Sequence, residues 1–567
     1  MSKDLRVIDF FCGAGGFSEG FRQQGYKVIM GVDNWGPAVQ THNINHNLED
    51  KIMDVLDFEN SVEPIEKLPD TEIIIGSPPC VSFSMSNKAG KADKSLGIRL
   101  IESYLRFVAV KKHKPGSILK AWLMENVPNS QNFVQESYTF NDLGLKEWAK
   151  EIGKKPSDIA LLVKNNGGIL TASDYGSPQK RQRFVCGEIV SNPSHEFPYP
   201  EITHADKRVL LGEILDKMPK PNKYQPGTAV TDPNYPTLKL TEEMLTDQFY
   251  DTGVYEVEWR ESRFGKENHP FMGKMSFPES TERPSRTIMA TRSASTREAI
   301  IYRSETNRKG DGEYRLPTIR EASTLMGFPY TYQFTGSEGT KWRLIGNAVC
   351  PHLSFALAGE IKIRLGMKPV KPSQVSFEAQ QEDYKKANNL NDGFKPKSFS
   401  KPPKKKTGSK FRRHTIKGGN ITVSLMNYNP LEKEPEIGFG NEWYTCIHIG
   451  SGKTYKMEFA TKAQVNKASK LLEEYGYNNF VQSFEKEFNI RIQSARKMQN
   501  SFESNSPKDE LSPIVIIDDL AALISVQKDK DKLVEARGIV SKPEIPAGQL
   551  MAIYGIGRIS SGSKKSC

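Results

Sequence analysis

At 567 residues the chain is too long for one hydrophobic core, so two or three domains are expected. Charged residues make up 26% and apolar residues 37%, no run approaches the ~18 apolar residues that span a bilayer, and the opening MSKDLRVIDFF lacks a signal-peptide core; no membrane role is expected, and a cytoplasmic location is. A formal charge of +11 favours a polyanionic partner only weakly, since solvated Lys-rich faces give the same total.

In chain order, LRVIDFF, YKVIMGVD, TEIIIGS, KAWLMENV and FVCGEI are strand-like runs separated by segments long enough for crossover helices. This is the pattern of a parallel, doubly wound α/β sheet over residues 1–187. Between Glu188 and Glu282 periodicity fades and Pro, Lys, Tyr and Asp become frequent, which reads as an inserted, loop-rich segment. Compact structure resumes over 283–368 with RPSRTIMATRS, LPTIREASTLMGFP and IGNAVCPHLSFALAGEIKIRL, the last ending as an amphipathic helix. Residues 369–410 are rich in Lys, Pro, Ser and Asn and read as a linker, its KPPKKKTGSKFRRH end as a solvated tether rather than a phosphate-contacting arm.

A separate small α+β domain is expected over 411–567, from the strand-like NITVSLMNY, EWYTCIHIG and KTYKMEFA and a helix opened by the capping-box spacing of Thr461 and Gln464. Trp443, Tyr444, Lys453 and Lys456 would suit an accessory DNA contact. A fused nuclease is the alternative, for SPKDELSPIVIIDD supplies carboxylates near a strand, but no acid-x-Lys follows it.

Four motifs carry chemistry. In IDFFCGAGGFSEGF a strand ends at Phe11 and Gly13, Gly15 and Gly16 lead into a helix, the turn by which an open α/β sheet presents a nucleotide-like ligand. Asp33 ends the next strand, where a carboxylate can accept from ribose hydroxyls, and Asp54, in KIMDVLDF, is a second carboxylate near the end of a later strand. The G-x-G-G spacing is not that of a pyrophosphate site, so a ligand with a ribose and an amino-acid carboxylate fits better, and S-adenosyl-L-methionine is the natural candidate.

The second motif is GSPPCVSFS, where Pro78 and Pro79 stiffen a loop that aims Cys80. None of the six cysteines forms a C-x-x-C pair, so neither a disulfide framework nor a metal site is expected, and any special cysteine acts alone. A lone cysteine is more often inert and buried than nucleophilic. The third motif, WLMENVPNS, shifts that balance, because Glu125 and Asn126 leave another strand at the same carboxyl edge, where an acid and a thiolate can converge on one substrate. In the fourth, ASDYGSPQKRQRFVCGE, Arg181 and Arg183 would share one strand face.

With these residues in order, followed by RPSRTIMA and IGNAV, the sequence resembles the DNA (cytosine-5)-methyltransferase family of bacterial or phage restriction-modification type, from about Leu5 to Leu365. The resemblance implies a Rossmann-like S-adenosylmethionine-dependent methyltransferase sheet with an inserted target-recognition region. It implies that a flipped cytosine meets Cys80 at carbon 6 while Glu125 acts on ring nitrogen 3, and that carbon 5 then takes the methyl group. Arg183 would hold the cytosine carbonyl oxygen, and Arg181 would support the loop or Glu125.

On the cofactor side the resemblance gives Phe11 to the adenine, Asp33 to the ribose and Asp54 to the adenine amino group. Gly13, Gly15, Gly16 and Pro79 line the site, and Asn347 closes the methionine end. Two departures stand out: Cys350 occupies the position after GNAV where the family usually has proline, and could be mildly reactive; Trp35 lies one position later than the usual aromatic. Double-stranded DNA is the implied partner, with a cognate restriction endonuclease beside it, and a monomer is expected. An RNA (tRNA) cytosine methyltransferase and a catalytically silent DNA-binding protein are the alternatives, the first disfavoured by the bulk of the 188–282 insert and the second by an intact Cys80 and Glu125.

Overall fold

The computed structural model describes residues 5–79, 95–190, 195–268, 273–377 and 388–399, and five strands beyond them. The chain divides into two units, Met1–Ser400 and Lys401–Cys567.

In the first unit the apolar runs form β1 (Arg6–Phe10), α1 (Gly16–Gln23), β2 (Lys27–Val32), α2 (Gly36–His46), α3 (Glu63–Lys67), β3 (Ile73–Gly76), α4 (Ser95–His113) and β4 (Ala121–Asn126). An antiparallel pair, β5 (Ser137–Thr139) and β6 (Ile159–Leu162), flanks α5 (Lys146–Glu151) and leads to β7 (Gly167–Thr171) and β8 (Gln182–Ile189). The sheet order is β2-β1-β3-β4-β8-β7. Strands β1 to β4 are parallel, and β1 is flanked by β2 on one side and β3 on the other, so the strand order reverses at β1. Ligands of open α/β sheets sit at such a reversal, outside the carboxyl ends of the strands.

The expectation of a wholly parallel sheet needs correction at FVCGEI. Strand β8 runs antiparallel to both β4 and β7. The reason is local: residues 172–181 fold back on themselves, with Ala172 N donating to Arg181 O at 2.8 Å, and leave no room for a crossover helix. Strand β7, not anticipated from its Gly-rich sequence, is the other arm of this hairpin.

Alternation along each strand divides the core. Val7, Ile73, Ile75, Ala121 and Leu123 face one side, with Phe17 and Phe21 of α1. Ile8, Phe10, Ile74, Trp122 and Met124 face the other, beneath Tyr104 to Val110 of α4. Both faces are covered, as the near-continuous apolar character of a parallel sheet requires.

After β8 come α6 (Leu211–Lys217), the hairpin β9 (Ala229–Thr231) with β10 (Lys239–Thr241), and α7 (Glu256–Glu267). The hairpin β11 (Tyr302–Arg303) with β12 (Tyr314–Arg315), α8 (Ile319–Met326), α9 (Glu338–Asn347) and α10 (Pro351–Arg364) complete the unit. Val254 and Trp259 build a small core of their own with Ala294, Ala299, Ile301, Tyr314 and Leu316. Part of the chain beyond residue 283 thus packs with the inserted region. Residues Glu338–Arg364 are long and apolar enough to cross a membrane by composition, but 72% of that window is buried in the fold.

In the second unit β13 (Arg413–Gly418), β14 (Ile421–Met426), β15 (Tyr444–Ile449), β16 (Tyr455–Phe459) and β17 (Gly557–Ser561) form one sheet, ordered β13-β14-β15-β17-β16. The three anticipated strands are present. Strand β17, from the far end of the chain, lies between β15 and β16. The expected helix at Thr461, the carboxylates of SPKDELSPIVIIDD, Trp443 and Lys453 lie outside the described residues.

Candidate active site

The turn after β1 is built from left-handed backbone: Phe11 has φ 54°, Gly13 52° and Gly15 83°. Gly15, the N-cap of α1, has no side chain to cap the helix. Asp9 does so from inside β1, its Oδ2 accepting from Ser18 N at 3.2 Å and Ser18 Oγ at 2.7 Å.

The three glycines differ in what fixes them. A Cβ on Gly13 would meet nothing closer than the Phe11 carbonyl at 3.8 Å, so this position is open for a ligand. On Gly16 it would overlap the Val349 carbonyl, and on Gly15 the Tyr332 hydroxyl. Protein packing therefore leaves room at Gly13, whereas Gly15 and Gly16 are required by packing of the turn against the chain before α10 and after α8.

A Gly16→Ala variant is expected to lose about 1–3 kcal/mol of stability, because one of two backbones must move. Gly13→Ala, strained only by its positive φ, is expected to lose about 1–2 kcal/mol and to bind cofactor more weakly. Thermal melts with and without S-adenosylhomocysteine separate the two effects.

Asp33 ties the end of β2 to this turn. Its Oδ2 accepts from Gly13 N at 3.0 Å and its Oδ1 from Trp35 N at 2.9 Å. Burial raises its pKa, and the Trp35 and Gly13 N–H groups work against that rise. Contrary to expectation, Asp54 does not lie near the end of a strand but caps a short 3-10 turn by accepting from Leu56 N at 3.0 Å, because its carboxylate serves the turn's free backbone N–H, while its other oxygen accepts from Asn34 Nδ2 at 3.3 Å. The Trp35 ring lies under the Arg343 guanidinium, 4.5 Å from the ring centroid. Arg343 stands on α9, one turn before Asn347, which ends that helix exposed.

The loop after β3 begins beside the glycine turn: Ser77 N donates to Phe10 O at 3.0 Å and Ser77 Oγ to Phe11 O at 3.1 Å. Pro78 is buried and Pro79 exposed. Asn126 holds the loop by donating from Nδ2 to Pro78 O at 3.1 Å, while its own Oδ1 accepts from Val127 N at 2.8 Å. This bracing role of Asn126 was not legible beforehand; the only signal was its place directly after Glu125. Cys80 lies outside the described residues.

Glu125, near the end of β4, stands opposite Val185 of β8 in the antiparallel register. Arg183, two residues along β8, is its diagonal neighbour on the same face. Arg183 Nε lies 2.7 Å from Glu125 Oε1, with side chains only 12% and 7% exposed. Burial raises the pKa of Glu125, opposed by the charges of Arg183 and Arg181.

Arg181 takes another path, so the two arginines do not share one face. It precedes β8, and its guanidinium donates to the carbonyls of Ile288 (3.3 Å), Gly346 (3.1 Å) and Ala348 (2.9 Å). It thereby joins RPSRTI to IGNAV, while its charge also works against the rise of the Glu125 pKa. Cys350 is buried, and burial raises its thiol pKa, so the expectation of a reactive thiol is not met.

A glycine turn at the strand reversal, the Asp33 carboxylate just past the next strand, and a buried acid–arginine pair near a proline-stiffened loop suit an α/β enzyme that takes a nucleoside-like ligand. Comparison with known proteins sharpens that class. Residues 5–363 match the family model of the C-5 cytosine-specific DNA methylases, and the chain belongs to that family. It is a DNA (cytosine-5)-methyltransferase, and its cofactor is S-adenosyl-L-methionine.

The chain is 28% identical over 365 residues to the type II methyltransferase M.HgiDI of Herpetosiphon aurantiacus, covering 64% of this chain and 95% of the relative. It is also 28% identical over 393 residues to M.DdeI of Desulfomicrobium norvegicum, covering 63% and 88%. Among solved structures it is similar to the Dnmt2 methyltransferase of S. pombe, with a TM-score of 0.37 and 15% identity over 64% of this chain and 100% of that one. The open space at Gly13, beside the Asp33 carboxylate and the partly buried Phe11 ring, fits the cofactor.

Proposed function

We propose that this enzyme methylates carbon 5 of one cytosine within a specific double-stranded DNA sequence, the base being flipped into the site and held covalently by Cys80. The observation that carries the reading is the buried Glu125–Arg183 pair at the edge where Asn126 braces the Pro78 loop. Attack of the Cys80 thiolate forms a bond to carbon 6, and the ring electrons move toward nitrogen 3, where protonated Glu125 donates. The raised pKa of Glu125 supports that protonated form. Carbon 5, now enamine-like, takes the methyl group and then gives up its proton to solvent; that bond's electron pair expels the Cys80 thiolate, and nitrogen 3 returns its proton to Glu125, which restores the neutral ring. Arg183 orients Glu125 and holds the cytosine carbonyl oxygen.

The bound S-adenosylmethionine supplies the methyl group from its sulfonium. Phe11, Gly13, Asp33, Asp54 and Asn347 would hold it, Asp33 keeping both oxygens on backbone amides while accepting from ribose. The inserted region with its small core reads bases in the major groove. Because the relatives named above are type II methyltransferases, we assign the enzyme to the modification side of a restriction-modification system in the cytoplasm, with the 411–567 region as an accessory contact.

Incubating duplex DNA with labelled cofactor, followed by bisulfite sequencing of DNA from cells expressing the chain, tests this reading. Protected cytosines in a single sequence context are expected. Label on adenine or on an exocyclic amine would overturn it.

A further inference from the structure

The supposed linker is in part a built element. Residues 388–399 run along residues 245–255 and fasten to them at every turn. Asn391 Oδ1 accepts from both Gln248 N and Phe249 N at 2.8 Å, and its Nδ2 donates to Leu245 O at 2.8 Å. Asn389 Oδ1 accepts from Asp247 N at 3.0 Å. Asp392 N and Phe394 N both donate to Phe249 O at 3.1 Å. Farther along, Lys397 N donates to Asp251 Oδ2 at 2.8 Å, the same oxygen that Arg308 reaches at 2.7 Å. Phe399 ends the run with its ring edge on Tyr255, centroids 4.9 Å apart, beneath the Arg308 guanidinium at 5.2 Å.

What this segment covers is a join. Leu245 and Phe249 belong to the main core, and Leu390 packs against that core. Val254 and Trp259 belong to the small core of the inserted region. Residues 388–399 cross from one to the other.

At the main-core end lies a node that solvent would disrupt. Asp247, in the left-handed region at φ 61°, forms an ion pair with Lys341 of α9 at 2.8 Å, both side chains wholly buried. Leu390 N donates to Asp247 Oδ1 at 2.9 Å, and Lys341 Nζ also donates to the Asn388 carbonyl. A strained residue persists where its surroundings over-determine it, and a buried pair is tolerable only when its remaining hydrogen-bonding capacity is met. Residues 388–390 supply part of both conditions.

We propose that residues 388–399 are a strap that sets the small inserted module against the catalytic body, with Asn391 and Phe399 as positioning residues for engagement of duplex DNA. The proposal rests on the reading that the inserted module recognises the target. On this view the working methyltransferase unit extends past residue 363, where the family match ends, to about Phe399.

The test uses the full-length enzyme. Asn391→Leu and Phe399→Ala are each expected to raise KM for duplex DNA about tenfold, with kcat and KM for S-adenosylmethionine within about twofold of the parent. Asn391→Asp, which keeps the acceptor and loses the donor, is expected to fall between. Faster hydrogen exchange at the Gln248 and Phe249 amides reports release of the strap. Faster exchange with an unchanged KM for DNA overturns the proposal, as does an equal rise in both KM values with a lowered melting point. Phe399→Ala, at the end of the strap and away from the buried node, keeps the test open if Asn391→Leu does not fold.

A companion variant, Arg260→Ser with Phe264→Ser on the exposed face of α7, reads the recognition assignment separately. If it raises KM for DNA and the strap variants do not, the strap alone fails. If neither raises it, the recognition assignment fails and the strap proposal with it.

Discussion

Replacing Cys80 with alanine is expected to abolish methyl transfer, lowering kcat by at least about 10⁴-fold while leaving S-adenosylhomocysteine binding intact. The size of the effect follows from the chemistry of the ring. Carbon 5 of a neutral cytosine is a poor nucleophile, and it becomes enamine-like only once a nucleophile has added at carbon 6. Serine would not rescue the activity, since its hydroxyl is scarcely ionised near neutrality. The cofactor turn, by contrast, is held by Asp9, Asp33 and packing at Gly16, none of which involves the thiol. Duplex DNA carrying 5-fluorocytosine gives a direct readout. Fluorine cannot leave as a cation, so the adduct should survive denaturation in the parent and be missing in Cys80→Ala. A covalent complex in the alanine variant would rule Cys80 out as the nucleophile.

Glu125→Gln is expected to lower kcat by about 10²–10⁴-fold, with little change in KM for the cofactor. Glutamine keeps the size and one acceptor oxygen but cannot deliver a proton to ring nitrogen 3. Burial raises the pKa of Glu125 even against the Arg183 charge 2.7 Å away. The sign of the pH effect follows: the donating form is the protonated one, it is depleted as pH rises through the pKa, and the raised pKa carries that loss to higher pH than for an exposed glutamate. The parent should therefore show a fall in kcat on the alkaline side that the glutamine variant lacks. A variant within tenfold of the parent, with the same pH profile, would show that Glu125 is not the acid. Arg183→Lys should move the limb further upward, because a lysine cannot reproduce the guanidinium fork beside the carboxylate.

The alternation of apolar residues and the placement of Gly13, Asp33, Pro78 and Glu125 after or near the ends of apolar runs were enough to locate the first four strands along the chain and the strand ends that carry these residues. Those signals are local: a period of two assigns Ile73, Ile74 and Ile75 to opposite faces, and a glycine or proline after the last apolar residue marks where the strand must stop. The direction of β8 depended instead on residues 172–181 closing as a hairpin, which strand propensity does not encode. The fates of Arg181 and Arg183 diverged for a related reason. Spacing of two implies a shared face only within a strand, and β8 begins at Gln182.

Sequence by itself determined the chemistry available and the strand ends that present it, because those depend on residue type and near neighbours. Tertiary structure alone decided that Gly16 answers to the Val349 carbonyl, that Arg181 braces the chain around Gly346, and that residues 388–399 are strapped to the chain around Phe249. In each case the partner is distant in the chain, and the interaction exists only where packing brings two backbones or a buried charge within a few ångströms. Composition marked 369–410 as unable to form a core of its own; it could not show that Asn391 and Leu390 would complete a core formed by others.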